Sequence, residues 1–302
     1  MKRTNIGGQA IIEGVMMRGK KMYACAIRKP NKEIIVDKKQ IKSSQDRPKI
    51  LSLPFIRGSV ALIDSLILGM KIISYSAEFL DTEEEQPSKF DEFLEKKLGD
   101  KLNDIIIAIS VIFALALSVG LFMVLPTWIS SFFGNFLPGS WALGIVEGLV
   151  RIAIFLLYLI LVTKMNEMKR IFQYHGAEHK TINCFEHEEE LTVENVKKHS
   201  RFHKRCGTSF LVIVMLVSMF VFLFVRIKSV PLRILSRIIL FPVISGISYE
   251  FIRLAGRSEA KIVQIISAPG IYIQRLTTAE PDDEMIEVAI AAMKGVLEDE
   301  PE

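Results

Sequence analysis

Two stretches of the 302-residue chain carry no charge: residues 105–125 (IIIAISVIFALALSVGLFMVL), 21 positions, and residues 208–225 (TSFLVIVMLVSMFVFLFV), 18 positions. Crossing the hydrocarbon core of a bilayer takes ~20 apolar residues, so both predict transmembrane helices. Residues 141–163 predict a third. Glu147 and Arg151 fall four apart on one face of it, where the two charges neutralise each other. Residues 230–252 predict a fourth, although the uncharged run Ile238–Tyr249 is only 12 residues long. There Arg233 and Arg237 are expected to snorkel to one interface, with Glu250 near the other. A re-entrant or interfacial helix is the competing expectation for that segment.

The period changes elsewhere. Between Pro54 and Leu80, Arg57, Asp64, Lys71 and Glu78 recur every seven residues among Ile, Leu, Val and Phe. On a helix these four form one narrow polar stripe, which predicts an amphipathic helix lying against the membrane. Near the N-terminus, IIEGVMM, MYACAIR and EIIVD are short β-prone runs, and RKPNKE between the last two predicts a hairpin. The final helix is announced by PDDE, with Met285, Val288, Ala289, Met293 and Val296 on one face.

The expected organisation is a β-containing segment (1–53), the membrane-abutting helix (54–80) and a charged connector (81–104) with a short amphipathic helix, FDEFLEKKLG. Two transmembrane helices (105–163), a polar loop (164–207), two more (208–252) and a C-terminal segment (253–302) complete it. The fold class expected is a mainly α integral membrane protein with about four spans. A small β-containing N-terminal piece and a cytoplasmic α module accompany them.

Composition agrees: 50% of residues are hydrophobic, and mean hydropathy is +0.33, high for a soluble chain. The net charge of +4 gives no reason to expect nucleic acid. The distribution of charge says more. Residues 127–140 contain no Lys or Arg, whereas 164–207 contain nine. The positive-inside rule places the second loop in the cytoplasm, and four spans then place both termini there, in a plasma membrane. Arg226, Lys228 and Arg233 beside the last loop weaken the bias without reversing it. MKRTNIGGQA lacks the apolar core of a signal peptide. Three cysteines on the reducing side are not expected to form disulfides.

All five histidines lie between residues 175 and 203. His175 and His179 are four apart, one helical turn, the spacing with which two imidazoles grip one ion. Glu178 completes H-x-x-E-H, an order in which the two His bind zinc and the Glu serves as general base. His203 and Cys206 form H-x-x-C, a second compact pair, and imidazole with thiolate favours Zn or Fe over Mg or Ca. A closed four-ligand site would be structural, and an open one catalytic. His187 and His199 read as solvated surface, and Cys184 as a small buried hydrophobe.

Five motifs in order, GGQAIIEGVMMRG (7–19), YHGAEHKTINCFE (174–186), HKRCGTSF (203–210), SYEFIRLAGR (248–257) and APGIYIQRLTTAEPDDEMIEVAIAAM (268–293), resemble the YqhQ-like family of bacterial multi-pass membrane proteins. The resemblance covers almost the whole chain. It implies a metal-dependent enzyme with His175, His179, His203 and Cys206 at the metal and Glu178 as candidate base. Lys204 stands where the family pattern has Pro, which alters the stiffness of a turn and not a ligand.

The remaining motifs offer a cleft. Gln9, Glu13 and Arg18 could line it, with Glu13 as a further ligand or acid; a strand entered through a Gly-Gly turn is the plainer account. Glu250, Arg253 and Arg257 read as interface anchors or as a cationic wall for an anionic substrate, with Glu250 and Arg253 close enough in sequence to pair. In APGIYIQRLTT a Pro-Gly turn leads into the final helix. Together these observations predict a metal-dependent hydrolase on the cytoplasmic face of the bilayer, acting on a lipid-linked or membrane-protein substrate. A membrane scaffold stapled by a structural metal is the second expectation, and a transporter the third.

Overall fold

The computed structural model describes residue 4 and residues 6–41, 48–79, 102–134, 136–137, 139–225, 227, 229–256, 258 and 260–298. Most of the expected connector, including FDEFLEKKLG, lies outside them, as do Arg226, Lys228 and Arg257. The chain divides into two compact units. One comprises Met1–Leu80, Leu156–Val221 and Leu240–Glu302; the other comprises Asp81–Phe155 and Phe222–Ile239.

The first unit is built on a four-stranded antiparallel meander, β1 (Gly7–Ile11), β2 (Gly14–Arg18), β3 (Met22–Arg28) and β4 (Ile34–Gln40), in sequential order. The hairpin at RKPNKE forms between β3 and β4. The run IIEGVMM is a hairpin too, not a single strand: Ile11 pairs with Gly14, and Glu13 turns the chain with φ 49°. Neither Ile12 nor Glu13 belongs to the Asn-Gly vocabulary that marks such turns, so the sequence conceals it.

Side chains alternate between the faces of the sheet. Val15, Met17, Ala24 and Ala26 face a core made with Tyr174, Ala177 and Ile182 and with Met285, Val288, Ala289, Met293 and Val296. The first three belong to α5 (Asn166–Glu186) and the rest to α10 (Asp283–Leu297). On the opposite face Ile11, Met16, Cys25 and Ile27 pack with Ile72 of α1 (Ile56–Ala77). The sheet is therefore covered by helices on both sides, which explains why β2 and β3 are apolar on both faces. α10 begins as PDDE predicts, with the Asp282 carboxylate accepting the Met285 N–H at 2.8 Å.

The other α-helices among the described residues are α2 (Leu102–Val119), continued through a π-turn (Gly120–Val124) into α3 (Leu125–Ser131), then α4 (Ser140–Val162), α6 (Val193–Lys198), α7 (Gly207–Phe222), α8 (Val230–Ala255) and α9 (Lys261–Thr277). Among the described residues, four helical segments are long and apolar enough to cross a membrane: Ile56–Ala77, Ile105–Ser131, Trp141–Val162 and Val230–Ala255. This set differs from the expected one at two places. The helix at 54–80 meets the length and apolarity of a span, and the expected span 208–225 holds a 16-residue helix. α8 runs unbroken over 26 residues, through Pro242.

Two more expectations are corrected. Pro269 and Gly270 do not make a turn but lie inside α9, where Gly270 lets Ser209 approach to a distance that a Cβ would reduce to 2.9 Å. Arg233 and Arg237 do not snorkel. Both are buried in the second unit, where Arg237 pairs with Glu147 at 3.0 Å, because that carboxylate offers a partner inside the protein.

Candidate metal centre

Helix α5 is the platform for the site. Tyr174, on the sheet-facing side, sends its hydroxyl to Glu13 at 3.2 Å. Gly176 is a point of close approach: a Cβ there would overlap the Ala279 carbonyl oxygen, and Ala279 in turn donates its N–H to the Phe172 carbonyl at 2.8 Å. These contacts fix the rotation of the helix and bring His175, Glu178 and His179 to one side.

Both imidazoles are oriented by backbone carbonyls. His175 Nδ1 lies 2.8 Å from the Thr277 oxygen, and His179 Nδ1 lies 2.6 Å from the Arg201 oxygen. A carbonyl only accepts, so each Nδ1 carries a proton, and a metal can be met only through Nε2. An outer hydrogen bond of this kind is also what orients a histidine whose other nitrogen meets a metal. Those Nε2 atoms converge with a sulfur: His175 Nε2 is 3.3 Å from Cys206 Sγ, and the ligand atoms of His175, His179 and Cys206 all lie within 4.8 Å of one another. Cys206 immediately precedes α7, and the Thr208 N–H points at its sulfur at 3.4 Å.

Glu178 adjoins this group. Its Oε2 is 3.8 Å from Nε2 of each of the two histidines, too far for a hydrogen bond. The carboxyl is buried, and burial pushes it up to about 7 against the opposing pull of His175 and of the Gly8 N–H. Gly8 presses directly on it: a Cβ at position 8 would stand 2.6 Å from Glu178 Cγ. The second glycine of the pair that opens β1 thus has a packing reason, whereas a Cβ at Gly7 would meet nothing within 4 Å.

His203 is beside this group rather than in it. Its Nε2 faces Glu186 Oε2 at 3.4 Å, and its ring centroid is 5.7 Å from that of His179. Its backbone exchanges two 2.8 Å hydrogen bonds with the Gln274 side chain, which holds the turn against α9. Burial pushes Glu186 up, but His203 and Arg205 outweigh it and hold the carboxyl below the usual range. Arg205 bridges Glu186 and the Thr4 carbonyl. Neither Glu186 nor Arg205 stood out in the sequence, because their partners are remote along the chain.

The expected cleft residues are elsewhere. Gln9 and Arg18 share the sheet face of Ile11 and Met16, opposite the one that meets α5, and Gln9 packs against Gly69 of α1. Glu13 lies outside the His175, His179 and Cys206 group. Both of its oxygens are taken by Arg170, at 2.5 Å each, clamping the hairpin turn to α5. Glu250 takes Arg57 as its partner, at 2.5 and 2.6 Å, rather than Arg253, which lies exposed near the end of α8.

His199 is more enclosed than expected. Its ring stacks 4.8 Å from that of His187, and its Nε2 is 3.3 Å from Glu189, so with Cys184 it forms a second His/Cys/Glu grouping. The Cys184 sulfur there points toward the Glu189 and Glu190 carbonyls at 3.9 and 3.7 Å, and burial pushes its thiol up to about 11. It behaves as a buried thiol donor.

Residues 53–299 match the family model described as "Protein of unknown function (DUF1385)". The chain belongs to that family. It is also 35% identical, over 294 residues, to "Uncharacterized protein YqhQ" of Bacillus subtilis (strain 168), a match covering 96% of this chain and 92% of that one. The five motifs pointed to this grouping. No solved structure matches the chain.

Proposed function

We propose that this protein is a multi-pass membrane hydrolase whose metal ion is held by His175, His179 and Cys206. The observation that carries the reading is the pair of carbonyl-tethered imidazoles, whose free Nε2 atoms converge with the Cys206 sulfur. Two nitrogens and a sulfur suit zinc best and iron next. With His203 turned to Glu186, three protein ligands remain, the number typical of catalytic rather than closed structural sites. When bound, such an ion supplies Lewis acidity for the activation of water. Glu178 is the base: its buried carboxylate takes a proton at the oxygen facing the two histidines, and the Gly8 N–H holds it there. The exposed apolar side chains of α1 (Ile63, Leu66, Ile67, Met70) and α9 (Ile262, Ile265) belong to the same unit and favour a lipid-linked or membrane-protein substrate.

Connectivity supports four crossings with the metal centre in the cytoplasm. The sheet, α5 and α10 share one core, so they lie on one side of any membrane. The chain must then cross an even number of times between β4 and α5. α2–α3 and α4 supply two crossings. α1 supplies none, because its second half returns to the sheet at Ile72. Between α6 and α10 the number must again be even. α8 supplies one and α7 the other; 16 residues reach ~24 Å, and the bilayer thins slightly to meet them. The basic 164–207 segment then faces the cytoplasm with both termini.

The test is elemental analysis of detergent-purified protein prepared without chelator, wild type beside His175→Ala/Cys206→Ala. Near-stoichiometric zinc or iron that disappears in the variant is expected. A folded, monodisperse wild type free of metal would sink the hydrolase.

A further inference from the structure

The second unit contains a charge cluster that the metal centre does not use. Glu147, Arg151, Arg233 and Arg237 are 1%, 6%, 4% and 2% exposed. They come from two apolar helices, α4 and α8, that are long enough to cross a membrane. One carboxylate and three guanidiniums leave a formal charge of +2 (3 − 1) inside the protein, where an uncompensated charge is strongly disfavoured.

The carboxylate cannot satisfy all three. Its two oxygens offer about four acceptor positions. Oε1 receives Arg151 Nη2 at 3.0 Å and Arg237 Nε at 3.0 Å, and the Thr127 hydroxyl lies 3.1 Å away. Oε2 receives Arg237 Nη2 at 3.1 Å. Arg233 Nε is left 3.8 Å from Oε2, beyond hydrogen-bonding distance. Backbone carbonyls absorb part of the excess. Pro126 has no N–H to give the carbonyl four residues before it, that of Phe122, and Arg151 Nε takes that oxygen at 2.8 Å; Arg233 Nη2 takes the Thr127 oxygen at 2.9 Å. Among the described residues, Arg233 Nε and Arg237 Nη1 are buried with no hydrogen-bond partner. Both side chains flank the same carboxylate oxygen. The Phe222 ring covers the Arg237 guanidinium at 3.7 Å and gives it no acceptor oxygen.

We propose that Arg233 and Arg237 bind a phosphate-class oxyanion in the second unit, with Glu147 fixing the two guanidiniums in place. Carboxylate and phosphate are the groups that guanidinium forks match; free phosphate near neutral pH carries the ~2 negative charges that the cluster lacks, and a lipid phosphodiester carries one of them. The bound group is either free phosphate or the phosphate of a lipid headgroup. The inference is independent of the metal reading, since the two sites share no residue.

The test uses the full-length protein in detergent. Its thermal unfolding is followed as inorganic phosphate is added at constant ionic strength, with chloride as the matched salt, and co-purifying phosphatidylglycerol is measured by native mass spectrometry. Two results support the proposal and separate the sources. A saturable rise in Tm with phosphate, absent with chloride, identifies free phosphate. Retained phosphatidylglycerol, with a phosphate response appearing only after delipidation, identifies a headgroup. Arg233→Gln should weaken the apparent affinity at least ~10-fold, the loss of one charge-assisted contact. Glu147→Gln keeps one acceptor oxygen to position the guanidiniums and should tighten binding, because the competing carboxylate charge is gone; a purely structural cluster has no reason to respond with that sign. If either variant does not fold, the wild-type comparison still decides. Equal stabilisation by phosphate and chloride, with no anionic lipid retained, overturns the proposal and leaves an internal ionic lock.

Discussion

Gly8 and Glu178, 170 residues apart in sequence, are in direct contact: a Cβ at position 8 would stand 2.6 Å from Glu178 Cγ and 2.7 Å from its Oε1. The strand that opens the chain is therefore the wall behind the candidate base. Gly8→Ala should push the carboxylate off its position. The cost of such overpacking is ~1–3 kcal/mol, visible as a lower Tm, while the three ligands and hence the metal content stay unchanged. Loss of metal in Gly8→Ala would mean that the sheet shapes the ligands as well as the base.

The ligand set itself separates by single substitutions. His175→Ala, His179→Ala and Cys206→Ala each remove one of three donors and should yield metal-free protein. His203→Ala should retain the ion, at an affinity lowered by no more than the ~10–100-fold typical of a lost outer partner. The readout is zinc and iron per chain after extensive dialysis. A His203→Ala protein as empty as His175→Ala would restore His203 to the ligand set.

The local geometry around His175 and His179 was legible in the sequence, and the reasons for the rest are physical. The i, i+4 spacing of His175 and His179 on a helix places both rings on one face whatever surrounds them. The apolar positions of α10 and its PDDE start are equally local, and all five apolar positions named for it are buried. What stayed hidden depends on contacts between remote segments. Nothing near residue 203 announces that Glu186 will claim its imidazole. Arg233 and Arg237 read as snorkelling cations because their partner lies 86 and 90 residues earlier, on another helix. The Ile12–Glu13 turn and the Pro-Gly step inside α9 contradict local rules, and tertiary packing overrides those rules at both places.

Glu13 anchors the first hairpin to α5 and should matter to stability, not to metal. Its bidentate contact with Arg170 is half-open to solvent on the arginine side, 54% against 23% for the carboxylate. Screening then limits the pair to about 1 kcal/mol. Glu13→Gln and Arg170→Gln should each lower Tm slightly, and the double variant should lose little more than either alone. The check is a double-mutant cycle by thermal unfolding at unchanged metal content. Strict additivity would show that the pair contributes nothing.

The crossing argument makes a sharp prediction at Phe224, which is exposed just after α7. If α7 crosses, Phe224 and Phe136 lie on the same, non-cytoplasmic side, because α4 and α8 begin there. Phe224→Cys and Phe136→Cys should then both react with a membrane-impermeant maleimide on intact cells, while Glu188→Cys in the basic loop reacts only after permeabilisation. The three native cysteines are buried and should contribute little background. Labelling of Phe136→Cys but not of Phe224→Cys would mean that α7 remains on the cytoplasmic side. An odd number of crossings would then separate α10 from the sheet that it packs against, so this outcome would overturn the four-span topology and not merely adjust its boundaries.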